Sequence, residues 1–141
     1  METTTLTRFW KKVDKTNSCW YYTTFKNKGG YGVFHVNRKK IPAHRFSYEL
    51  VNGKIPNGLQ IDHICRNRAC VNPDHLEAVT QKVNILRGIG YSAINARKTH
   101  CKRGHKFTRE NTMKNKKGRM CRICFYQSVK RYKQSQKILL I

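Results

Sequence analysis

Residues 61–75 read IDHICRNRACVNPDH, a stretch that crowds two cysteines, two histidines and two aspartates into fifteen residues. Cys65, Cys70 and His75 follow one another at intervals of five. Thiolate and imidazole donors of this kind suit zinc, and a closed tetrahedral site needs a fourth ligand. A second set lies downstream, as Cys101-x3-His105 and Cys121-x2-Cys124. Two knuckle-like pairs joined by a short basic hairpin can each bite one metal from a single turn. His100 competes with His105, which is preferred because it follows Gly104 in a tight turn. Cys19 is then the one cysteine left over. Assigning it to the first set closes the count: Cys19, Cys65, Cys70 and His75 for one structural zinc, and Cys101, His105, Cys121 and Cys124 for another. This predicts that the segment around Cys19 lies beside the 65–75 loop. Neither set contains an acid or leaves a position open for catalysis.

Asp62, His63 and Asn84 are not absorbed by the zinc count. Asp62 is one of only seven acids in the chain. A divalent cation such as Mg²⁺ takes hard oxygen ligands, and Asp62 with the Asn84 carbonyl can supply two of them. A neutral imidazole at His63 can accept a proton from water near neutral pH. The bland alternatives are a turn cap or salt bridge for Asp62, and a further zinc ligand or a packed ring for His63. One geometric condition applies. Neighbouring residues on a regular strand face opposite ways, so Asp62 and His63 can share a site only where the strand ends or twists.

The composition sets the partners. The chain of 141 residues carries 30 Lys and Arg against 7 Asp and Glu, a formal net charge of +23. Such an excess points to a polyanion held by phosphate neutralisation. No long apolar run or strongly amphipathic basic helix favours a membrane. METTTLTRFW lacks a signal-peptide core, so a cytoplasmic location is expected, and cysteines there serve metals more often than disulfides. The terminal KILLI is too short to span a bilayer and is expected to dock on the body.

Certain elements must position these residues. Residues 5–14 read as one short helix. SCWYYTTF and YGVFHVN read as two strands joined through the glycine turn NKGGYG into a hairpin, and NRKKIPAH as a further strand ending at Pro42. Residues 44–52 are helical in pattern and Gly53 stops them. NGLQIDHI gives a turn and a strand, LEAV a second strand, and TQKVNILRG a helix closed by Gly88. Residues 89–99 lack a period and read as a linker. The unit beyond, residues 100–141, is strongly basic: residues 97–137 hold fifteen of the thirty basic residues and one acid, Glu110. FYQSVKRYKQ reads there as a basic helix, with Lys130 and Arg131 on it and Arg122 just before it as candidate phosphate contacts or simply a solvated face.

IDHICRNRACVNPDHLEAVTQKVNILRG resembles the core of HNH endonucleases, the ββα-metal fold. It is similar also to His-Cys box homing endonucleases, in which a zinc braces the same loop. CWYYTTFKNKGGYGVF and AHRFSYELVNGKIPNGLQ resemble the leading part of phage-type HNH proteins, and the C-x3-H…C-x2-C unit resembles an appendage common among them. The resemblance implies an α+β fold with a small ββα-metal domain over residues 1–88 and a C-terminal zinc-knuckle unit. It implies a metal-dependent DNA endonuclease, of phage or mobile-element homing type, acting on double-stranded DNA with Mg²⁺ or Mn²⁺ and leaving 5′-phosphate and 3′-hydroxyl ends. His63 matches the general base, Asp62 the metal-binding acid and Asn84 the metal-ligating asparagine. His75 stands where many HNH proteins carry the middle asparagine. That departure favours zinc there, as in the His-Cys box proteins. Cys65 and Cys70 match zinc cysteines, and Cys19 the fourth ligand. Gln81 and Arg87 flank Asn84 by three residues on its helix. Arg87 and Arg45 are candidate DNA contacts, with an i,i+4 pair to Glu49 as the alternative for Arg45. His44 and His35 could lie near the site, and neither is assigned a role. The rival class is a non-catalytic zinc DNA-binding protein, and behind it a zinc-stabilised RNA-binding protein. Both leave Asp62, His63 and Asn84 unexplained.

Overall fold

A computed structural model of the chain describes residues 3–116 and 118–138, with side chains through Gln136. The chain divides into two units, residues 1–88 and 89–141. The expected docking of the KILLI tail concerns side chains outside the described residues.

Unit 1 begins with α1 (Thr3–Trp10), followed by β1 (Val13–Lys15) and β2 (Trp20–Tyr22). The helix expected over residues 5–14 therefore stops at Trp10. Val13–Lys15 instead pair antiparallel with Trp20–Tyr22, and Lys15 Nζ lies 4.6 and 4.3 Å from the ring centres of Trp10 and Trp20. Cation–π contact on both sides holds this turn of chain. The expected hairpin between the SCWYYTTF and YGVFHVN strands does not form. Across the glycine turn only the isolated bridge Lys26–Gly32 forms. β3 (Val33–Val36) pairs with β4 (Lys39–Pro42). Their two-residue turn holds Asn37 and Arg38 at φ of +47° and +64°, which matches the right-handed twist of the strands it joins.

The free side of β2 takes the loop that carries Cys65 and Cys70 instead. Tyr22 N–H donates to the Ala69 carbonyl and Val71 N–H to the Trp20 carbonyl, at 3.0 and 2.8 Å. Gly32 is required by this packing. A Cβ there would sit 2.6 Å from the ring of Tyr22, which is wholly buried. α2 (Ala43–Asn52) packs behind. Phe9, Tyr22, Phe34, Ala43, Phe46 and Val71 form the core, with Phe9 at its centre, 4.8–5.9 Å from the rings of Phe46, Phe34 and Tyr22.

The ββα element follows as β5 (Leu59–His63), β6 (Leu76–Thr80) and α3 (Gln81–Arg87). β5 and β6 pair antiparallel, with Asp62 opposite Glu77 and His63 opposite Leu76. Ile55, Ile61 and Leu76 give this element a small core of its own. Thr80 caps α3 by accepting from Val83 N–H at 3.3 Å, and Gly88 ends it. A cap hydroxyl of this kind meets one of the four orphan N–H groups of a helix start.

Unit 2 opens with α4 (Tyr91–Arg97), a helix where the sequence reads as a linker. Arg119 explains it. Its Nη2 donates to the carbonyls of Asn95 and Lys98 at 2.7 and 2.8 Å, satisfying orphan acceptors at the helix end. The same guanidinium lies 4.2 Å over Phe107. β7 (Thr112–Asn115) and β8 (Gly118–Cys121) form a hairpin, and α5 (Arg122–Ile138) runs on from it.

Candidate active site and metal centres

The ligand atoms of Cys19, Cys65, Cys70 and His75 all lie within 4.8 Å of one another. The Sγ atoms of Cys19 and Cys70 stand 3.7 and 3.6 Å from His75 Nδ1. Zn–S of about 2.3 Å and Zn–N of about 2.0–2.1 Å give a tetrahedral S–N edge of about 3.6 Å, so the spacing fits zinc. The β2 pairing with residues 69–71 carries Cys19 to the loop, and Asn72 Nδ2 fixes it by donating to the Ser18 carbonyl at 2.9 Å. Ser47 Oγ donates to the Val71 carbonyl at 2.6 Å from the α2 side.

In unit 2, Cys101, His105, Cys121 and Cys124 converge in the same way. Cys101 and Cys121 Sγ lie 3.5 and 3.7 Å from His105 Nδ1, and the Cys101 and Cys124 sulfurs are 3.7 Å apart. His100 lies outside the cluster and pairs with Thr99 Oγ1 at 2.9 Å. Asn111 Oδ1 accepts from Ile123 N–H at 3.1 Å, tying the knuckle to the first turn of α5. Arg122, Lys130 and Arg131 are exposed on that helix.

The sequence condition on Asp62 and His63 is met by the end of β5, where residues 61–63 are all buried. His63 is 6% exposed and Asp62 3%. His63 Nε2 lies 3.1 Å from the Cys70 carbonyl. A carbonyl only accepts, so Nε2 carries the proton and Nδ1 keeps the lone pair. Burial pushes the imidazole below its ordinary pKa, against the opposing pull of the Cys70 carbonyl and of Asp62. The ring is therefore held in its neutral form and oriented by the backbone of Cys70.

Asp62 Oδ1 accepts from Arg66 Nη1 at 2.8 Å. Its Oδ2 is buried and lacks a hydrogen-bond partner, the nearest cation being Arg87 at 3.6 Å. Arg87 is itself hydrogen-bonded to Glu77, so this candidate for touching DNA is engaged with two carboxylates. Asn84 Nδ2 donates to Gln60 Oε1 at 3.1 Å, which leaves its carbonyl oxygen as the available donor atom. A buried carboxylate oxygen without a hydrogen-bond partner and an amide carbonyl are donors of the hard-oxygen type that a divalent cation such as Mg²⁺ takes.

Two neighbours of His63 carry no role in the sequence reading, which places His44 near the site at most and passes over Tyr31. The His44 ring centre lies 4.7 Å from that of His63, and Tyr31 lies 5.8 Å from His63. His44 sits at the start of a helix and Tyr31 in a glycine turn, where no pattern marks a site. Arg45 makes no ion pair with Glu49 among the described residues. His35 is exposed on β3.

A family model described as HNH endonuclease matches residues 42–85, which takes in β5, β6 and most of α3. The chain is 34% identical over 68 residues to the uncharacterized gene 5.3 protein of Enterobacteria phage T3, covering 44% of this chain and 67% of that protein. It is 41% identical over 66 residues to Protein 7.7 of Escherichia phage T7, covering 47% and 51% of the two. Protein 2.8 of the same phage is 31% identical over 106 residues, covering 73% and 68%. The chain thus spans only about half the length of Protein 7.7. No solved structure matches it. No helix among the described residues is long and apolar enough to cross a membrane. With its ββα element, its buried Asp62–His63 pair and these phage relatives, the chain belongs to the HNH endonuclease family, in its phage type.

Proposed function

We propose that the protein is a metal-dependent endonuclease that hydrolyses phosphodiester bonds in double-stranded DNA. The observation that carries this is the buried His63, whose tautomer the Cys70 carbonyl sets, beside an Asp62 carboxylate whose second oxygen has no hydrogen-bond partner and is ion-paired with Arg87 at 3.6 Å. His63 Nδ1 takes the proton of the attacking water. Asp62 and Asn84 hold one Mg²⁺ or Mn²⁺. When bound, that cation neutralises charge on the reacting phosphate and on the leaving 3′ oxygen. Arg66 secures Asp62 through its other oxygen. The two zinc ions are structural: one braces the loop that orients His63, the other holds the knuckle from which α5 extends.

The basic surface of unit 2 supplies sequence-independent attraction to the phosphate backbone. Arg122, Lys130 and Arg131 are its contacts on α5. Homing-type cleavage in the cytoplasm of a bacterial host belongs to this reading; the relatives support its phage setting alone.

The test uses zinc-loaded protein with supercoiled plasmid and with phage genomic DNA, with and without Mg²⁺ or Mn²⁺, beside His63→Ala. Chelators are left out because they remove structural zinc. Metal-dependent nicks that vanish in the variant while DNA binding persists support the reading. Tight binding without cleavage on either substrate in either metal overturns it in favour of a zinc DNA-binding protein.

A further inference from the structure

His44 is buried and ionisable, and it has no part in the chemistry above. It is 8% exposed, and its Nδ1 is buried without a hydrogen-bond partner. An orphaned polar atom lowers stability, so its environment asks for a ligand. Beside it lies a recess of about 340 Å³, lined by Tyr31, His44, Arg45, Gln60 and Asn84 among others. The polar lining offers one cation (Arg45), three amides (Asn27, Gln60 and Asn84), a phenol and an imidazole. No carboxylate lines it.

Such a lining suits an anion rich in acceptor oxygens. Asp62 does not line the recess, so the recess adjoins the cleavage centre without containing the carboxylate assigned to the metal. The rings of Tyr31, His44 and His63 stand 4.7–5.8 Å apart, which puts the recess within one side chain of the proposed base. Burial, then the neighbouring His63 and Arg45, push the His44 imidazole down to about 3. It is too weak a base to share His63's task, and as a neutral ring it offers an N–H donor.

We infer that this recess is a phosphate subsite: it receives a phosphodiester group flanking the scissile one, drawn by Arg45 and hydrogen-bonded by His44. The assignment rests on the nuclease reading for the identity of its ligand. His44 touches substrate here and takes no proton from it. Arg45 supplies the charge, and the Gln60 and Asn84 amides also line the recess.

Two replacements separate hydrogen bonding from packing. His44→Phe keeps an aromatic ring against His63 and removes the donor. His44→Asn places an amide near the position of Nδ1. Zinc content and melting temperature are measured first to show that each variant folds. Affinity for a 12-base-pair duplex is then measured with Ca²⁺ in place of Mg²⁺, and plasmid cleavage with Mg²⁺. His44→Phe is expected to lose about 10- to 100-fold in affinity, as for a hydrogen bond to a charged group, and His44→Asn to recover part of it. The ¹⁵N imidazole signals of His44, assigned by their absence from the His44→Phe variant, should shift on adding the same duplex to the wild type. Unmoved signals, or a folded His44→Phe that binds like the wild type, overturn the subsite. Neither readout requires cleavage. A wild type that binds duplex and shifts His44 without cutting plasmid therefore removes the nuclease reading and leaves the phosphate site standing.

Discussion

Replacing His63 by alanine and by glutamine separates what the imidazole does for chemistry from what it does for the fold. Both variants lack the proton acceptor. General-base transfer supplies about 10²–10⁴-fold, or about 3–5 kcal/mol of barrier. Alanine also leaves the Cys70 carbonyl without the donor it has now, in a residue with no solvent exposure. A buried acceptor left unmade costs about 1–3 kcal/mol. In a unit of 88 residues each kcal/mol moves the melting temperature by about 4–8 °C. Alanine should therefore melt about 4–24 °C below the wild type on this account alone. Glutamine reaches about as far as Nε2 and carries an amide donor, so it should regain much of that loss. The expected pair of results is plasmid cleavage slower by about 100-fold or more in both variants, with only alanine strongly destabilised. Single-turnover plasmid relaxation and thermal melts in zinc-containing buffer measure the two. A glutamine variant that cleaves within about tenfold of the wild type, well short of what a general base supplies, would refute the role of His63 as base. Equal melting temperatures for the two would refute the worth assigned to the Cys70 bond.

Cys65→Ser should lower bound zinc from two per chain to one, and should reduce cleavage because the loop no longer holds the Cys70 carbonyl against His63. Metal analysis beside the plasmid assay checks both. Ser47→Ala removes the donor to the Val71 carbonyl from a site with no solvent exposure, and a melt should show a loss of about 1–3 kcal/mol. Gly32→Ala puts a Cβ 2.6 Å from the Tyr22 ring, and the buried tyrosine has nowhere to retreat. Overpacking of about 1–3 kcal/mol or more is expected in the same melt. Replacing Arg122, Lys130 and Arg131 together by alanine should flatten the plot of log affinity against log salt for duplex DNA. The change in slope should be up to about 2.7, at about 0.9 for each phosphate no longer neutralised. An unchanged slope would take α5 out of the interface.

What the sequence made legible was local in origin. Thr80 and Gly88 bracket α3, and the ligand pairs of the second cluster lie within a turn of each other, so short-range chemistry specifies them. Cys19 was placed only by counting, since 56 residues separate it from His75. The partner of Trp20–Tyr22 was not legible. Residues 23–32 contain every sign of a hairpin turn, yet the 69–71 loop and Val13–Lys15 occupy both edges of that strand. Pairing of this kind is decided by packing, here by the Phe9–Tyr22 core and the zinc loop. α4 escaped notice because its small residues carry no period and its C-terminal carbonyls are satisfied by Arg119, 21–24 residues away. The site itself was half visible. Asp62, His63 and Asn84 are side chains and can be read. The carbonyl that fixes the tautomer belongs to the backbone of Cys70, which no residue type announces. Tyr31 and His44 reach the site from a turn and a helix start.

Asp62 lies in a chain of net charge +23 with Arg66 bonded to one oxygen and Arg87 3.6 Å from the other. These arginines are resident counter-ions. Removing a carboxylate from water without a partner is strongly unfavourable, and here the partner is supplied by the chain. Unit 1 is therefore expected to reach its folded form without a divalent ion at Asp62. Loading the proposed site would be an exchange, in which a small doubly charged ion competes with guanidinium groups already in place. Apparent Mg²⁺ affinity should rise when Arg87→Gln weakens the competitor, and the fold should stay indifferent to whether the exchange has occurred.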